Sequence, residues 1–454
     1  MTSSQTRRLP WLIASLLAIA AFAIANDSNA QDDPRMLSFG GETMGTTYVV
    51  KIFNPPESEV PFPFQVDAEL RRVNDEMSTY LASSEISRFN SSDSTDWFPV
   101  SESFARVVQF ALEVSTKTDG AFDVTVGPLV DAWNFGAGSD RDSAPQVPDS
   151  ATLDQLAKSI GFENLKSRLE PPAIRKTNPD LQIDLSAIAK GHGVDRVVEL
   201  LDRAGAKNVF VEIGGEVRTS GDKAGQWWKV GIQLPDAARD TVMVAHSLST
   251  DAGNDEAMAT SGDYRNTFSS GGIRYSHTLD PMTRRPVTHD LASVSVLADS
   301  CMAADAWATA INVLGPTKGL EVAEQEGLDA LLVRRTADGY QLSGTGTLAR
   351  YAPTPNSPGA NNSTGASDST DAPEGTDATA ESGGFFPVML LTTLALTVIL
   401  FAMAIGVIFG RRSISGSCGG LANERNDDGS VSCSLCSNPD DACKELRERM
   451  KRNS

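Results

Sequence analysis

The order of secondary-structure signals predicts an α+β fold. Strands and helices are interspersed without regular strand–helix–strand alternation, and neither a GxGxxG turn nor a Walker sequence is present. Both observations disfavour a doubly wound nucleotide-binding sheet. The globular portion runs from about Met36 to Tyr351, where apolar periodicities alternate with turn residues; a large single domain of mixed or antiparallel sheet with packed helices is expected there.

Within it, Thr46–Phe53 alternates as a strand, and residues 66–80 place apolar side chains at helical spacing. Residues 101–118 form a second amphipathic helix, started by Ser101 or Ser103 and ended by Asp119-Gly120. Residues 208–213 and Trp228–Gln233 read as strands, with Gly214-Gly215 as the turn between them. Residues 303–314 and 316–325 read as helices separated at Gly315-Pro316, and residues 330–334 as a strand.

The ends carry targeting signals. Arg7 and Arg8 precede an uncharged apolar run over residues 11–25, and Ser28-Asn29-Ala30 supplies a small-x-small site before Gln31. Residues 1–30 therefore read as a secretory signal, with an uncleaved anchor as the alternative. The first cysteine is Cys301, so no leader cysteine accepts lipid. Residues 352–384 are Pro, Ser, Thr, Gly, Asn and Ala with a few acids, a tether too polar to pack. Residues 385–409 carry no charge over twenty-five positions, and roughly 20 helical residues span a bilayer core. Lys and Arg are absent from 352–384, whereas Arg411 and Arg412 follow the apolar run at once. The positive-inside rule then puts residues 31–351 outside the cytoplasmic membrane and the tail, 410–454, in the cytoplasm. The net charge of −20 excludes a nucleic-acid partner, which requires a basic face.

Four stretches carry candidate chemistry. His277 and Asp280 sit three apart beside Pro281, after the pair Gly271-Gly272, where a constrained loop can aim a base; a structural histidine looks the same. Asp305 and Thr309 are i and i+4 on a predicted helix, so a carboxylate and a hydroxyl share one face and suit a hard cation such as Mg²⁺. Lys190 lies between small residues and Gly191 and Gly193, where a backbone can approach a phosphate. Glu212-Ile213-Gly214-Gly215-Glu216 is a strand end whose glycines admit a bulky ligand or simply make a tight hairpin.

These stretches occur in order with Met44-Gly45-Thr46-Thr47-Tyr48, with Tyr80 and Ser84-Glu85-Ile86-Ser87-Arg88-Phe89-Asn90, with the run from Gly120 to Val130, and with Ala259-Thr260-Ser261-Gly262-Asp263-Tyr264. Together they resemble the ApbE family of FAD:protein FMN transferases over nearly all of residues 36–350. The resemblance implies that FAD is a substrate, its isoalloxazine lying against Tyr80 and Met44-Gly45-Thr46, with Glu212, Gly214 and Gly215 near the ligand. It further implies that Mg²⁺ is held by Asp305, Thr309 and the carbonyl of Ala189, with Lys190, Ser261 and Gly262 nearby. His277 would take the proton of an acceptor threonine or serine. His192 is a departure, standing where the family commonly has an aromatic residue. An FAD pyrophosphatase, with water as nucleophile, and a non-enzymatic flavin-binding assembly factor are the alternatives.

The tail, over roughly residues 391–443, resembles NqrM, a membrane factor for maturation of the Na⁺-translocating NADH:quinone reductase. The resemblance rests on the apolar span, Arg411-Arg412 and Ser417-Cys418-Gly419-Gly420-Leu421. It implies subunits of that reductase as acceptor flavoprotein partners, although the Cys433, Cys436, Cys443 spacing departs from that family's tighter cluster. Reduced thiolates in the cytoplasm are metal ligands first, and four of them, Cys418, Cys433, Cys436 and Cys443, complete a tetrahedral iron or zinc site. Anaerobically purified full-length protein is expected to carry one of these metals in stoichiometric amount. Its absence, with all four thiols freely alkylated, would refute that site.

Overall fold

The computed structural model describes residues 35–137, 147–237, 241–248, 256–263, 267–270 and 272–352. All belong to the first of two units into which the chain divides, Met1–Asn362 and Ser363–Ser454. The leader at 1–30, the tether beyond Ala352, the apolar run at 385–409 and the four tail cysteines lie outside the described residues. Among the described residues no helix is long and apolar enough to cross a membrane.

The chain opens with a hairpin, β1 (Met36–Thr43) and β2 (Thr46–Phe53), in register from Met36 opposite Phe53 to Thr43 opposite Thr46. Its two-residue turn has φ of 50° at Met44 and 73° at Gly45, the left-handed geometry that matches strand twist. Helix α1 (Phe62–Met77) buries Phe62, Val66, Leu70, Val73 and Met77, one face at helical spacing. After a short α2 (Glu85–Asn90) and β3 (Phe98–Pro99) comes α3 (Glu102–Lys117). Ser101 caps α3 by accepting from the Phe104 amide, and positive φ at Asp119 and Gly120 ends it. Short helices α4 (Gly127–Ala132) and α5 (Ser150–Leu156) lead to the β4 (Leu165–Leu169) and β5 (Pro172–Lys176) hairpin, which β3 joins.

The second half supplies most of the central sheet. Helix α6 (Ala189–Arg203) precedes β6 (Val209–Ile213), β7 (Glu216–Ser220), the hairpin β8 (Trp228–Gln233) and β9 (Val242–Leu248), and β10 (Glu256–Gly262). An excursion holds β11 (Thr267–Ser270), β12 (Ile273–Ser276), β13 (Leu279–Asp280) and β14 (Arg285–Pro286). The chain then returns as β15 (Leu291–Ala298), α7 (Cys301–Gln325), β16 (Asp329–Thr336) and β17 (Gly339–Gly344).

The eight-stranded sheet runs β1-β2-β6-β7-β10-β15-β16-β17, and all of its pairs are antiparallel. One face packs on helices: Val194, Val197 and Leu201 of α6 meet Val50, Val209 and Val211, while Ala310 and Ile311 of α7 join Val294, Val296 and Leu332. The other face is covered by Val230, Ile232 and Leu248 of the β8–β9 hairpin, packed on Val217, Met258 and Leu331. Helices on one face of an antiparallel sheet make this α+β, as the order of signals predicts.

One expectation needs adjustment. The Gly214-Gly215 turn leads into β7, not into Trp228–Gln233, which pairs with β9 in a separate sheet. Residues Glu216–Ser220 hide this strand because Glu216 and Arg218, which face the helix layer, are charged and break the apolar pattern. The two helices expected at 303–314 and 316–325 are there, α7 being broken at Gly315, whose φ of 80° and ψ of −178° only glycine adopts readily.

Candidate active site

Period-2 alternation aims β7 at the helix layer. Glu216 and Arg218 both point toward α6, where the Glu216 carboxylate stands 3.1 Å from Lys190 Nζ and Arg218 donates to Asp195 at 2.7 Å. On the neighbouring β10, Ser261 reaches the same layer, its hydroxyl 2.9 Å from that of Thr309 on α7. Asp305, one turn before Thr309, lies 3.6 Å from Lys190 Nζ. The structure therefore brings Lys190, Asp305, Thr309 and Ser261 together and adds Glu216.

Helices α6 and α7 are fastened to each other at their N-termini, where first-turn amides have no partner inside their own helix. Asp195 of α6 accepts from the amides of Cys301 and Met302 at 2.8 and 2.9 Å, and Asp305 of α7 accepts from the amide of Gly191 at 3.0 Å. The approach requires glycine: a Cβ at Gly191 would fall 2.2 Å from the Cys301 carbonyl oxygen.

This diversion of the Gly191 amide bears on the backbone ligand. Ala189 opens α6, so its carbonyl enters the helical ladder. The Ala187 carbonyl, whose helical partner would be Gly191, loses that amide to Asp305. Ala187, rather than Ala189, thus has a carbonyl that the helical ladder does not use, and we join it to the Asp305 carboxylate and the Thr309 hydroxyl as the candidate donor set. All three donors are oxygens, as Mg²⁺ prefers, and Asp305 and Glu216 against Lys190 leave one negative charge over. Among the described residues no group of three or more His, Cys, Asp or Glu side chains could hold a metal. Mg²⁺ here would rely on this sparse set, with water or substrate oxygens filling its remaining positions.

Burial governs the electrostatics. Burial pushes the Glu216 carboxyl up to about 7 despite Lys190, and one of its oxygens is buried without a hydrogen bond. Burial alone would depress the Lys190 ammonium, but Asp305 and Glu216 outweigh it and hold it above the ordinary lysine range. Burial also raises the Cys301 thiol, which stays protonated.

The glycine turn and the first hairpin meet beside this cluster. The Gly214 amide donates to the Thr47 carbonyl at 3.0 Å, and a Cβ at Gly214 would lie 2.9 Å from Thr46 Cγ2. Met44 packs near Gly193 on α6. Glu212 sits on the other face of β6, the face of Phe210, and its carboxylate accepts from the Gly215 amide at 2.6 Å. It braces the turn, and Glu216 carries the carboxylate on the Lys190 side.

Tyr80 follows α1 and is 59% exposed, beside a cavity of about 370 Å³ lined by Thr79, Ser87, Asn90, Asp131, Gln182 and Asp184 among others. His277 is exposed on the excursion between β10 and β15, edge-on to Phe135 with ring centroids 6.3 Å apart. Phe135 follows α4, whose Asp131 lines that cavity. Gly262 ends β10, while Tyr264 and Gly271 of the quoted motifs lie outside the described residues.

A sequence profile described as the ApbE family matches residues 44–332. The chain belongs to the ApbE family. A second profile, (Na⁺)-NQR maturation NqrM, matches residues 407–454. An FAD:protein FMN transferase of Vibrio cholerae is 39% identical over 336 residues, covering 73% of this chain and 95% of that protein. One from Haemophilus influenzae is 38% identical, covering 72% of this chain and 94% of that protein. The solved flavin transferase ApbE of Vibrio cholerae superimposes with a TM-score of 0.62 at 39% identity, covering 70% of this chain and 99% of that one. The Pseudomonas stutzeri flavinyl transferase ApbE gives 0.61 at 34% identity, covering 68% of this chain and 94% of that one.

Asp195, Arg218, Glu216 and the cavity-lining Asp184 were not singled out from the sequence. The first three stood inside quoted or adjacent stretches, but their partners are twenty or more residues away and leave no local signal.

Gly191→Ala is expected to destabilise the protein by about 3 kcal/mol, the upper end for overpacking, because backbone must move. Urea denaturation checks this, and a variant as stable as the parent would show that α6 and α7 are not held by this contact. His192, buried and within 2.9 Å of the Ser103 hydroxyl, is pushed down to about 4 by burial and by Arg196. Its folded value lies below the ordinary 6.5, so the unfolded chain binds the proton first and stability falls as pH drops from about 6.5 to 4, by roughly 2–3 kcal/mol. His192→Gln should flatten that part of the urea-midpoint-versus-pH curve; an unchanged slope would assign the acid sensitivity elsewhere.

Proposed function

We propose that the chain transfers FMN from FAD to a threonine or serine hydroxyl of an acceptor protein and releases AMP. The carrying observation is the convergence of Lys190, Asp305, Thr309 and Ser261 at the junction of α6, α7 and β10 in an ApbE fold. The relatives named as FAD:protein FMN transferases support the same reading.

In this scheme the polar cavity beside Tyr80 receives part of the dinucleotide, with the flavin against Tyr80 and the Met44-Gly45-Thr46 turn. Lys190 pairs with the pyrophosphate from its place between Asp305 and Glu216. Asp305, Thr309 and the Ala187 carbonyl would hold Mg²⁺, which supplies charge neutralisation at the pyrophosphate. The acceptor hydroxyl oxygen forms a bond to the phosphorus of the FMN half. The bond from that phosphorus to the bridging oxygen breaks, and AMP departs with that oxygen. His277 takes the hydroxyl proton, and its exposure on the excursion suits a group that must meet a protein acceptor.

The leader, the apolar run at 385–409 and its flanking arginines support an extracytoplasmic catalytic domain tethered to the cytoplasmic membrane, with the cysteine tail inside. The NqrM match at 407–454 supports an acceptor among subunits of the Na⁺-translocating NADH:quinone reductase.

Full-length protein, FAD, Mg²⁺ and a purified subunit of that reductase should yield an acceptor heavier by FMN less one water, with AMP in equal amount by intact mass and chromatography. Free FMN and AMP without adduct would favour the pyrophosphatase. His277→Ala should slow single-turnover transfer by about 10²-fold or more with FAD affinity retained. Unchanged transfer at neutral pH would remove His277 as the base. Asp305→Ala should abolish both activity and its metal dependence.

A further inference from the structure

We propose that Arg335, on the sheet face opposite α6 and α7, is the positioning residue that sets where His277 stands; the inference rests on His277 acting at the reaction centre. His277 lies on the excursion that leaves the sheet after β10 and returns at β15, fourteen residues beyond Asp263 and thirteen before Asp290. The body of the excursion is held to α4, where Leu279 packs with Leu129 and Trp133 and Trp133 Nε1 donates to the Arg284 carbonyl at 3.0 Å; the neck ties it to β10 and β15, the strands beside Ser261 and α7.

Arg335 holds the neck. Its guanidinium grips two carboxylates, donating to Asp263 through Nη1 at 2.7 Å and Nη2 at 2.6 Å, and to Asp236 through Nε at 2.7 Å and Nη2 at 3.1 Å. Its own backbone amide donates to the Asp290 carbonyl at 2.8 Å. One residue of β16 thereby ties the last residue before the excursion and the last residue of its return. Asp263 also donates its amide to the Ala292 carbonyl, closing the neck from the other side.

The same cluster reaches to within three residues of His277. Arg274 of β12 donates to the Asp263 carbonyl at 3.2 Å and stands 3.5 Å from the Asp236 carboxylate. Tyr340 of β17 braces Asp236 from the far edge, donating to the Pro235 carbonyl and the Asp236 carboxylate. The paired carboxylates hold the Arg335 guanidinium above its ordinary pKa, while hydrogen bonding from Arg335 holds Asp236 below its own. A planar fork bonded to two carboxylates fixes orientation as well as charge, and lysine cannot reproduce it.

The test uses the full chain with Arg335→Gln and Arg335→Lys. The acceptor is the reductase subunit named above, and carbon-13 labelling of the four histidines reports their positions. The His277 and His192 signals are assigned by His277→Ala and His192→Gln. Arg335→Gln is expected to slow single-turnover adduct formation at least tenfold with the FAD dissociation constant within twofold of the parent, and Arg335→Lys to recover only part of the rate. The His277 imidazole signal should shift while that of His192, buried in α6, stays in place. Transfer within twofold of the parent, or an unmoved His277 signal, would overturn the proposal. So would displacement of both signals together, which would mark Arg335 as a general stability contact. Should the parent form no adduct, the transferase reading fails, yet the His277 and His192 signals still decide whether Arg335 places the histidine.

Discussion

Asp195 and Asp305 each cap the helix to which the other belongs. The exchange joins α6 and α7 end to end at their positive poles, where two carboxylates meet first-turn amides that would otherwise lack partners. Gly191 permits it, since any side chain there would collide with the Cys301 carbonyl. Everything chemical is hung on this joint. Lys190 is the residue before Gly191, Thr309 is one turn beyond Asp305, and the freed carbonyl of Ala187 is a by-product of the amide spent on Asp305.

The joint is buried, and this shapes its electrostatics. Asp305 and Glu216 are 2% and 4% exposed, and Lys190 stands between them. Such a group is costly to assemble, and the removal of one partner is costlier still, because a buried charge is then left unpaired. Arg218 neutralises Asp195 separately, so the surplus negative charge falls on the Lys190 side of the joint. The site proposed for a cation and a diphosphate would use that imbalance, the hard ion offsetting the surplus charge and Lys190 exchanging a carboxylate for a phosphate oxygen.

The sequence made visible whatever is local. Ser101 and Asp119-Gly120 bounded α3 because caps and left-handed residues act within one turn. Gly315-Pro316 announced the break in α7, and the alternation over Thr46–Phe53 marked β2 to the residue. The i and i+4 spacing of Asp305 and Thr309 did place them on one helix face. What stayed hidden depends on partners distant in the chain. Glu216 and Glu212 are indistinguishable as letters in a glycine turn, and only the pleat sends one toward Lys190 and turns the other back on the Gly215 amide. Ala189 and Ala187 are likewise equivalent until the Gly191 amide is seen to leave the helix. Asp195 has no evident task until Cys301 and Met302 are seen to be its partners.

The architecture separates two demands that a transferase to protein must meet. The phosphate chemistry needs rigid, buried charge, and it sits between two helices pinned against a continuous antiparallel sheet. The acceptor chemistry needs exposure, since a folded protein must bring a hydroxyl to the base, and a base sunk beside Lys190 would be out of its reach. With His277 as the proposed base, its exposed place on the excursion answers the second demand, and proton transfer in the attack step tolerates little displacement. The charged knot of Asp236, Asp263, Arg274 and Arg335 lies at the neck of that excursion, and it is anchored in the same β16 whose Leu332 packs into the core with α7. One sheet thus carries the joint on one face and the neck on the other.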